Sequence, residues 1–304
     1  MGMFDVADKP DTLRTAVAQA TVIVNPETIR MVRDGKSPKG DIVEAARVAA
    51  TMAAKKTSDL IPYCHPIPLD YIHITVTLNE ASIEIQAVVK TIWKTGVEVE
   101  ALTAVSIAAL TVYDMLKPID KTLCIESIKL LSKTGGIKGV QEPYSRQLKA
   151  AVLVVSDSVS RGEREDKSGK LAVEVLQKYG FTVDSYGFVP DDVGKIEAEF
   201  KRFCDDLKLD LVVSCGGTGI GPRDVTTEAT LRVVDREIGG VSEALRAYGQ
   251  RRTPMAMLSR GVSGVRCRTV IVNLPGSPKA VSEGLAALFP GILHVYAMLE
   301  GQGH

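Results

Sequence analysis

Polar and apolar residues alternate along Tyr71–Leu78 and again along Ser82–Thr91, the two-residue period of strands with one buried face. The short Asn79–Ala81 stretch between them predicts a hairpin turn. Over Gly40–Thr57 and Gly96–Leu116 the spacing becomes helical, and Leu123–Leu131 reads as a further strand. Antiparallel strands with two helices on one face make an α+β sandwich. At Lys133–Arg146, rich in glycine and polar residues with one proline, the rhythm changes. Beyond it, strands are expected at Ala150–Ser156, Phe181–Val189, Leu209–Ser214 and Thr269–Leu274. Helices are expected at Lys167–Tyr179, Asp192–Leu207 and Pro278–Leu288. This alternation implies an α/β domain with a mainly parallel sheet and right-handed crossovers. The expected division is a domain over 1–140, a linker over 141–147 and a second domain over 148–304.

The run Lys94–Lys117 is the most distinctive helix. Thr95 and Glu98 have the spacing of a capping box, and Pro118 ends the run. Ala101–Tyr113 is apolar or small nearly all round, as in a helix buried by its own domain or by a neighbouring subunit. The apolar part between Glu100 and Asp114 is too short to span a bilayer. The two polar ends lie on the order of 25 Å apart, so one copy cannot bring both to one substrate. Either there are two sites, or a symmetric oligomer joins opposite ends.

Bulk properties narrow the field. The 304 residues carry 37 basic and 37 acidic side chains, which argues against a nucleic-acid partner held by broad electrostatics. Five scattered cysteines without a C-x-x-C pair, and only four histidines, disfavour a structural zinc site and suit a reducing compartment. The first residues hold no apolar signal segment, so a cytoplasmic protein without a membrane partner is expected.

In the second half, Ser214–Thr226 follows an apolar strand and contains Gly216, Gly217, Thr218, Gly219 and Gly221. Backbone N–H groups in such a turn can face one anion, although a glycine-rich turn with no ligand has the same appearance. No G-K-[ST] follows, and the glycine spacing does not fit a dinucleotide fingerprint. Ser156–Gly169, with Asp157, Asp166 and Ser168, and Pro190–Asp192 also leave expected strands. Alone, Asp191 or Asp192 reads as a helix cap. Together, Asp166, Asp191 and Asp224 can converge on Mg²⁺ carrying phosphates, with Asn273–Pro278 and its Ser277 as a fourth loop.

These four loops resemble the molybdopterin adenylyltransferase family (MogA/MoaB) over most of Leu148–Glu300. The resemblance implies a trimeric α/β fold that transfers AMP from Mg-ATP to molybdopterin with release of pyrophosphate. Asp191 and Asp224 match the aspartates for Mg²⁺ and catalysis. Gly216, Gly217, Thr218, Gly219, Ser168 and Ser277 match regions that hold nucleotide and pterin phosphate. Thr227 stands where the family often has proline.

In the first half, Pro62, Pro66 and Pro68 stiffen the loop around Cys64 and His65. His65 is open to a structural or a pocket role, and Lys39-Gly40-Asp41 opens a helix where an anion is favoured. Asp114 and Lys117, three apart, are either a surface ion pair or, in a pocket, an acid–base pair. Glu98 can be only a capping glutamate, whereas Glu100 faces elsewhere. Together with KKTSDLIPYCHPIPL and LLSKTGG, these motifs resemble the cyclic pyranopterin monophosphate synthase (MoaC) family over most of Met3–Gly139.

That resemblance implies a ferredoxin-like fold with active sites at dimer interfaces. The implied reaction converts 3′,8-cyclo-7,8-dihydro-GTP to cyclic pyranopterin monophosphate and pyrophosphate, with no cofactor. Asp114, Lys117 and Lys39 would be catalytic, meeting across a subunit contact. His65, Cys64, Glu98 and Glu100 would shape the pocket, and Lys55 and Lys133 would face phosphates. The two resemblances together imply a fusion of two steps in molybdenum-cofactor biosynthesis. The expected partners are pterin and nucleotide small molecules and a homo-oligomer built from dimers or trimers, a hexamer among them. The alternative makes the second half a non-catalytic molybdopterin-binding or scaffolding module.

Overall fold

The computed structural model describes residues 2–7, 9–136 and 146–301, and divides into two units, Met1–Val140 and Gln141–His304. Residues 141–145 of the expected linker lie outside the described residues.

The first unit opens with a strand that the alternation analysis did not anticipate, β1 (Thr12–Ile23). Its buried positions are Ala16, Ala18, Ala20 and Val22. Three alanines, poor strand formers with little apolar area, mute the two-residue signal. There follow α1 (Pro26–Arg33), α2 (Ile42–Lys55), the single turn α3 (Thr57–Leu60) and β2 (Tyr71–Leu78). The unit closes with β3 (Ser82–Trp93), α4 (Glu98–Leu116) and β4 (Cys124–Gly135). The strands form an antiparallel sheet in the order β2-β3-β1-β4, with Ala18 opposite both Ala87 and Leu130. β4 runs past its expected end, so Lys133 is a strand residue opposite Ala16 rather than part of a linker.

One apolar core joins the inner face of this sheet to α2 and α4. Ala101, Ala104, Ala108 and Ala109 of α4 are fully buried, as are the alanines of β1. Small side chains on both surfaces let helix and sheet approach closely. At 19 residues and a mean hydropathy of 1.5, α4 does have the length and composition of a membrane span, contrary to the reading from its charged ends. Its place is across the sheet. The expected capping box is not formed either: Val97 is the cap residue and makes no side-chain bond, and Thr95 Oγ1 donates to Gly96 O at 3.4 Å.

The second unit starts with β5 (Leu148–Val155), the turn α5 (Asp157–Ser160), α6 (Ser168–Lys178) and β6 (Phe181–Val189). Next come α7 (Val193–Lys201), which ends in a widened π turn at Arg202–Asp206, and β7 (Leu211–Cys215). Then follow α8 (Thr226–Val233), β8 (Arg236–Glu237), α9 (Gly239–Gln250) and a 3₁₀ turn, Pro254–Leu258. Finally β9 (Ser263–Arg266), β10 (Thr269–Leu274), α10 (Pro278–Leu288) and α11 (His294–Leu299) complete the unit.

The sheet order is β6-β5-β7-β10-β9-β8. The first four strands are parallel, and β9 and β8 add antiparallel pairs at one edge. Separate apolar clusters cover its two faces, which is why β5 and β7 read as continuous apolar runs. The chain leaves β5 for β6 on one side and returns to β7 on the other. The crevice between β5 and β7 is therefore a topological switch point, where ligands of open α/β sheets bind.

Replacing Ala18, which is fully buried under α4, tests the close helix–sheet contact. Ala18→Leu is expected to cost about 1–3 kcal/mol by overpacking. Denaturant unfolding followed by fluorescence of Trp93, the only tryptophan, reads the first unit alone.

Candidate active sites

Four loops leave the carboxyl ends of β5, β6, β7 and β10 and line a cavity of about 680 Å³. At the exit of β7 the chain turns through Gly216 (φ 114°) and Gly217 (φ 65°), a backbone region that side chains disfavour. A Cβ on Gly216 would lie 2.2 Å from Val155 O, and one on Gly217 the same distance from Thr226 Oγ1. Thr226 closes the turn: its N–H donates to Gly217 O at 3.0 Å and its hydroxyl to Gly216 O at 2.8 Å.

Two aspartates meet this turn, Asp224 from its own loop and Asp191 from the loop after β6. Asp224 Oδ2 accepts the Gly221 N–H at 2.8 Å. Asp191 Oδ1 would lie 3.3 Å from a Cβ on Gly217, so it too abuts the loop. Asp191 exchanges backbone-to-carboxylate bonds with Asp157, both at 3.1 Å, while Asp157 pairs with Arg223. Capping falls to the neighbour, since Asp192 accepts the Lys195 N–H at 2.9 Å. Burial pushes the Asp191 carboxyl up, and the charges of Asp157 and Asp224 act the same way.

Asp166 does not join them as a free carboxylate. It is buried and accepts from Ser168 N–H and hydroxyl, Gly169 N–H, Lys170 N–H and the Tyr186 hydroxyl. Burial raises its pKa, but these donors outweigh burial and hold the carboxyl below its ordinary value. Ser168 thereby has its hydroxyl committed, and Ser277 caps α10 through the Ala280 N–H at 3.3 Å. Thr218 and Gly219 line the cavity. Among the described residues no cluster of three His, Cys, Asp or Glu side chains is placed to hold a metal ion.

In the first unit the charged groups gather at the two ends of α4. At its C-terminal end Asp114 Oδ1 meets Lys117 Nζ at 2.7 Å, and Oδ2 meets Lys39 Nζ at 2.7 Å. The three meet within one chain, not across a subunit contact as expected. The hydrogen bonds from Lys117 and then Lys39 bring the Asp114 carboxyl down to about 2, and Asp114 raises the Lys117 pKa in turn.

At the N-terminal end Glu98, free of any capping duty, pairs with Lys133 at 3.0 Å. Glu100 is buried, takes the Cys64 thiol at 3.4 Å on Oε1, and has no hydrogen bond to Oε2 among the described residues. Burial pushes the Glu100 carboxyl up, and burial together with Glu100 pushes the Cys64 thiol up to about 11. His65 Nε2 bonds Phe4 O at 2.9 Å, and Lys55 lies exposed at the end of α2.

A MoaC family model matches residues 3–136, and a model described as a probable molybdopterin binding domain matches residues 151–294. A molybdenum cofactor biosynthesis bifunctional protein of Chlorobaculum tepidum is 43% identical over 302 residues, covering 99% of this chain and 96% of that protein. The chain belongs to that bifunctional family. Its first half is also 53% identical, over 139 residues, to a cyclic pyranopterin monophosphate synthase of Thermomicrobium roseum, covering 45% of this chain and 84% of that one. The structure of the molybdopterin biosynthesis enzyme MoaB from Thermus thermophilus is 45% identical, with a TM-score of 0.49, and covers 51% of this chain and 98% of that one. The chain is thus an enzyme of molybdenum cofactor biosynthesis with a MoaC half and a molybdopterin-binding-domain half.

Two arginines of this bifunctional chain escaped the sequence reading. Arg260 clips the β7 loop: its Nε donates to Gly219 O at 2.7 Å and its Nη2 to Asp224 O at 2.6 Å, while Glu228 pairs with the same guanidinium. Its own backbone holds the loop as well, with N–H on Thr218 O at 2.8 Å and C=O on the Thr227 hydroxyl at 2.9 Å. Thr227, the departure from the family's proline, therefore makes a bond that proline cannot. The only local hint was a Ser259-Arg260-Gly261 loop before a short apolar strand. Arg14 on β1 donates to Lys94 O at 3.2 Å and feels the charge of Glu98. It was hidden with the strand that carries it.

Asp114 is expected to keep its charge down to about pH 2, so its ion pairs support the fold above the ordinary carboxylate range and fade as pH falls through that value. Carboxyl NMR titration checks this, and Lys39→Met is expected to move the midpoint up toward the ordinary value.

Proposed function

We propose that the MoaC half converts 3′,8-cyclo-7,8-dihydro-GTP into cyclic pyranopterin monophosphate and pyrophosphate, and that the second half transfers AMP from Mg-ATP to molybdopterin. The observation that carries the reading is the seating of Asp191 and Asp224 on one glycine turn at the switch point of the sheet.

In the second half the turn offers backbone N–H groups to phosphate, and the two aspartates supply a site for the Mg²⁺ that accompanies ATP. The donor set fits that ion, which takes a few carboxylates and completes its shell with phosphate oxygens and water. An Asp191 carboxyl raised by burial and by two neighbouring negative charges is a group that a divalent cation would relieve. When bound, Mg²⁺ would neutralise charge on the phosphates. Arg260 holds the loop carbonyls, which fixes where the N–H groups point.

In the first half the βαββαβ element order and the strand order β2-β3-β1-β4 support a ferredoxin-like reading. Closing a cyclic phosphate expels pyrophosphate, so negative charge grows on the leaving oxygens. Lys117, whose proton Asp114 holds, and Lys39 are placed to meet such charge, and Asp114 orients both. Burial raises the Glu100 carboxyl, and its Oε2, unpartnered among the described residues, is left to meet a polar group of the substrate. Since Glu98 and Asp114 are sixteen residues apart on one helix, about 24 Å separates the two clusters. A homo-oligomer that sets one copy's N-terminal end beside another's C-terminal end would complete the site. The exposed Val48, Met52, Leu110 and Tyr113 on α2 and α4 suit such a contact.

Asp191→Asn or Asp224→Asn is expected to lower AMP transfer to molybdopterin by about 10²–10³-fold while leaving pyranopterin formation intact. Asp114→Asn should do the reverse, by a similar factor. Assays of both reactions on each full-length variant read the two halves separately. Binding of molybdopterin without any AMP transfer by the wild type would reduce the second half to a binding module. Light scattering on a size-exclusion column tests the oligomer, and an active monomer would sink it.

A further inference from the structure

The cavity of the second half is lined not only by the glycine turn but also by α9, the 3₁₀ turn Pro254–Leu258 and α10. Ser242, Arg246, Tyr248, Leu258 and Glu283 line it. Glu283 sits on α10 with only 15% of its side chain exposed, yet it has no hydrogen bond among the described residues. Its ion-pair partner there, Arg252, stays at 4.0 Å. That guanidinium lies 3.5 Å from the Tyr248 ring centroid and donates to Tyr248 O at 3.0 Å.

The other carboxylates of the cavity each accept at least one hydrogen bond. Asp166 is saturated by its turn, Asp191 accepts from Asp157 N–H, Asp224 from Gly221 N–H, and Glu165 from Lys170. A largely buried carboxylate with one distant ion-pair partner and no hydrogen bond is costly unless a ligand supplies the donors. The donors that fit two carboxylate oxygens are two N–H groups side by side on one planar edge, as in a bidentate pair. A pterin presents that edge with its ring N3–H and 2-amino group. Adenine does not, because its 6-amino group stands beside ring nitrogens that are acceptors.

We infer that Glu283 reads the pyrimidine edge of the pterin, placing the pterin against the α9 and α10 residues of the cavity and the nucleotide over the glycine turn. α10 sets the spacing. Ser277 begins the helix at the phosphate end of the cavity, and Glu283 lies six residues on, about 9 Å along the axis. A molecule with a phosphate at one end and a fused heterocycle at the other spans that interval. This assignment rests on the pterin-binding reading of the second half but not on AMP transfer.

The test is titration of the full-length protein with molybdopterin under anaerobic conditions and, separately, with Mg-ATP. Glu283→Gln, which puts an amide donor against the pterin's own donors, is expected to weaken molybdopterin binding by at least about tenfold and to leave Mg-ATP binding within twofold. Glu283→Asp keeps the charge but withdraws it, and should bind molybdopterin more weakly than wild type and Mg-ATP equally. If Glu283→Gln does not fold, the Glu283→Asp comparison decides on the same criteria. Unchanged molybdopterin affinity, or an equal loss for both ligands, overturns the assignment. Wild-type protein that binds molybdopterin but transfers no AMP defeats the adenylylation reading and leaves the assignment standing. Wild type that binds no molybdopterin defeats both.

Discussion

Two glycines at the end of β7 decide what the second half can do. Gly216 passes so close to Val155 O, and Gly217 so close to Thr226 Oγ1, that no side chain fits at either place. The backbone therefore reverses at once on leaving the sheet, and its amides stay at the strand end rather than swinging away. Because the turn lies at the switch point, loops from β5 and β6 reach it too. Asp191 and Asp224, thirty-three residues apart, then share one surface, and burial together with the charges of Asp157 and Asp224 raises the cost of charge on Asp191. The tight turn, the topology and the electrostatics are one device. Relaxing the turn would separate the carboxylates as well as the amides.

The first half uses a different device, a rigid rod with charged clusters at both ends. α4 is held by alanines packed on alanines, so its axis is fixed against the sheet over its whole length. At one end Asp114 is open to solvent and bound to two lysines, which drives its carboxyl down. At the other, Glu100 is buried with a thiol for a partner, which drives its carboxyl up. Two acidic side chains on one helix are thus pushed in opposite directions by their surroundings alone.

Much of this was legible in the residues. Strong alternation placed β2 and β3, continuous apolar runs placed β5, β7 and β10, and glycine clustering marked the tight turn after β7. What could not be read has physical causes. β1 hid because alanine carries little hydrophobic signal, and Arg14 hid with it. The capping box at Thr95 failed because Glu98 finds Lys133 on β4, a tertiary partner no local spacing reveals. β8 and β9 are two and four residues long, too short to show any period. Arg260 acts through loop carbonyls, and carbonyls carry no mark in a sequence.

The aspartates after the strands show why roles need geometry. Asp166, Asp191 and Asp192 all precede helices, and each has the chemistry of a cap. Asp192 takes that duty for α7, and Asp166 takes the equivalent one at the start of α6, with five donors to itself. A carboxylate so well satisfied gains little from a metal or a phosphate-bound cation. Asp191 stands beside a residue that has already capped the helix, and its oxygens remain available apart from the Asp157 amide. Glu283 carries the same logic further, since it has even less to satisfy it. Within one cavity, then, identical carboxylates differ in how much hydrogen-bonding capacity their surroundings leave unmet.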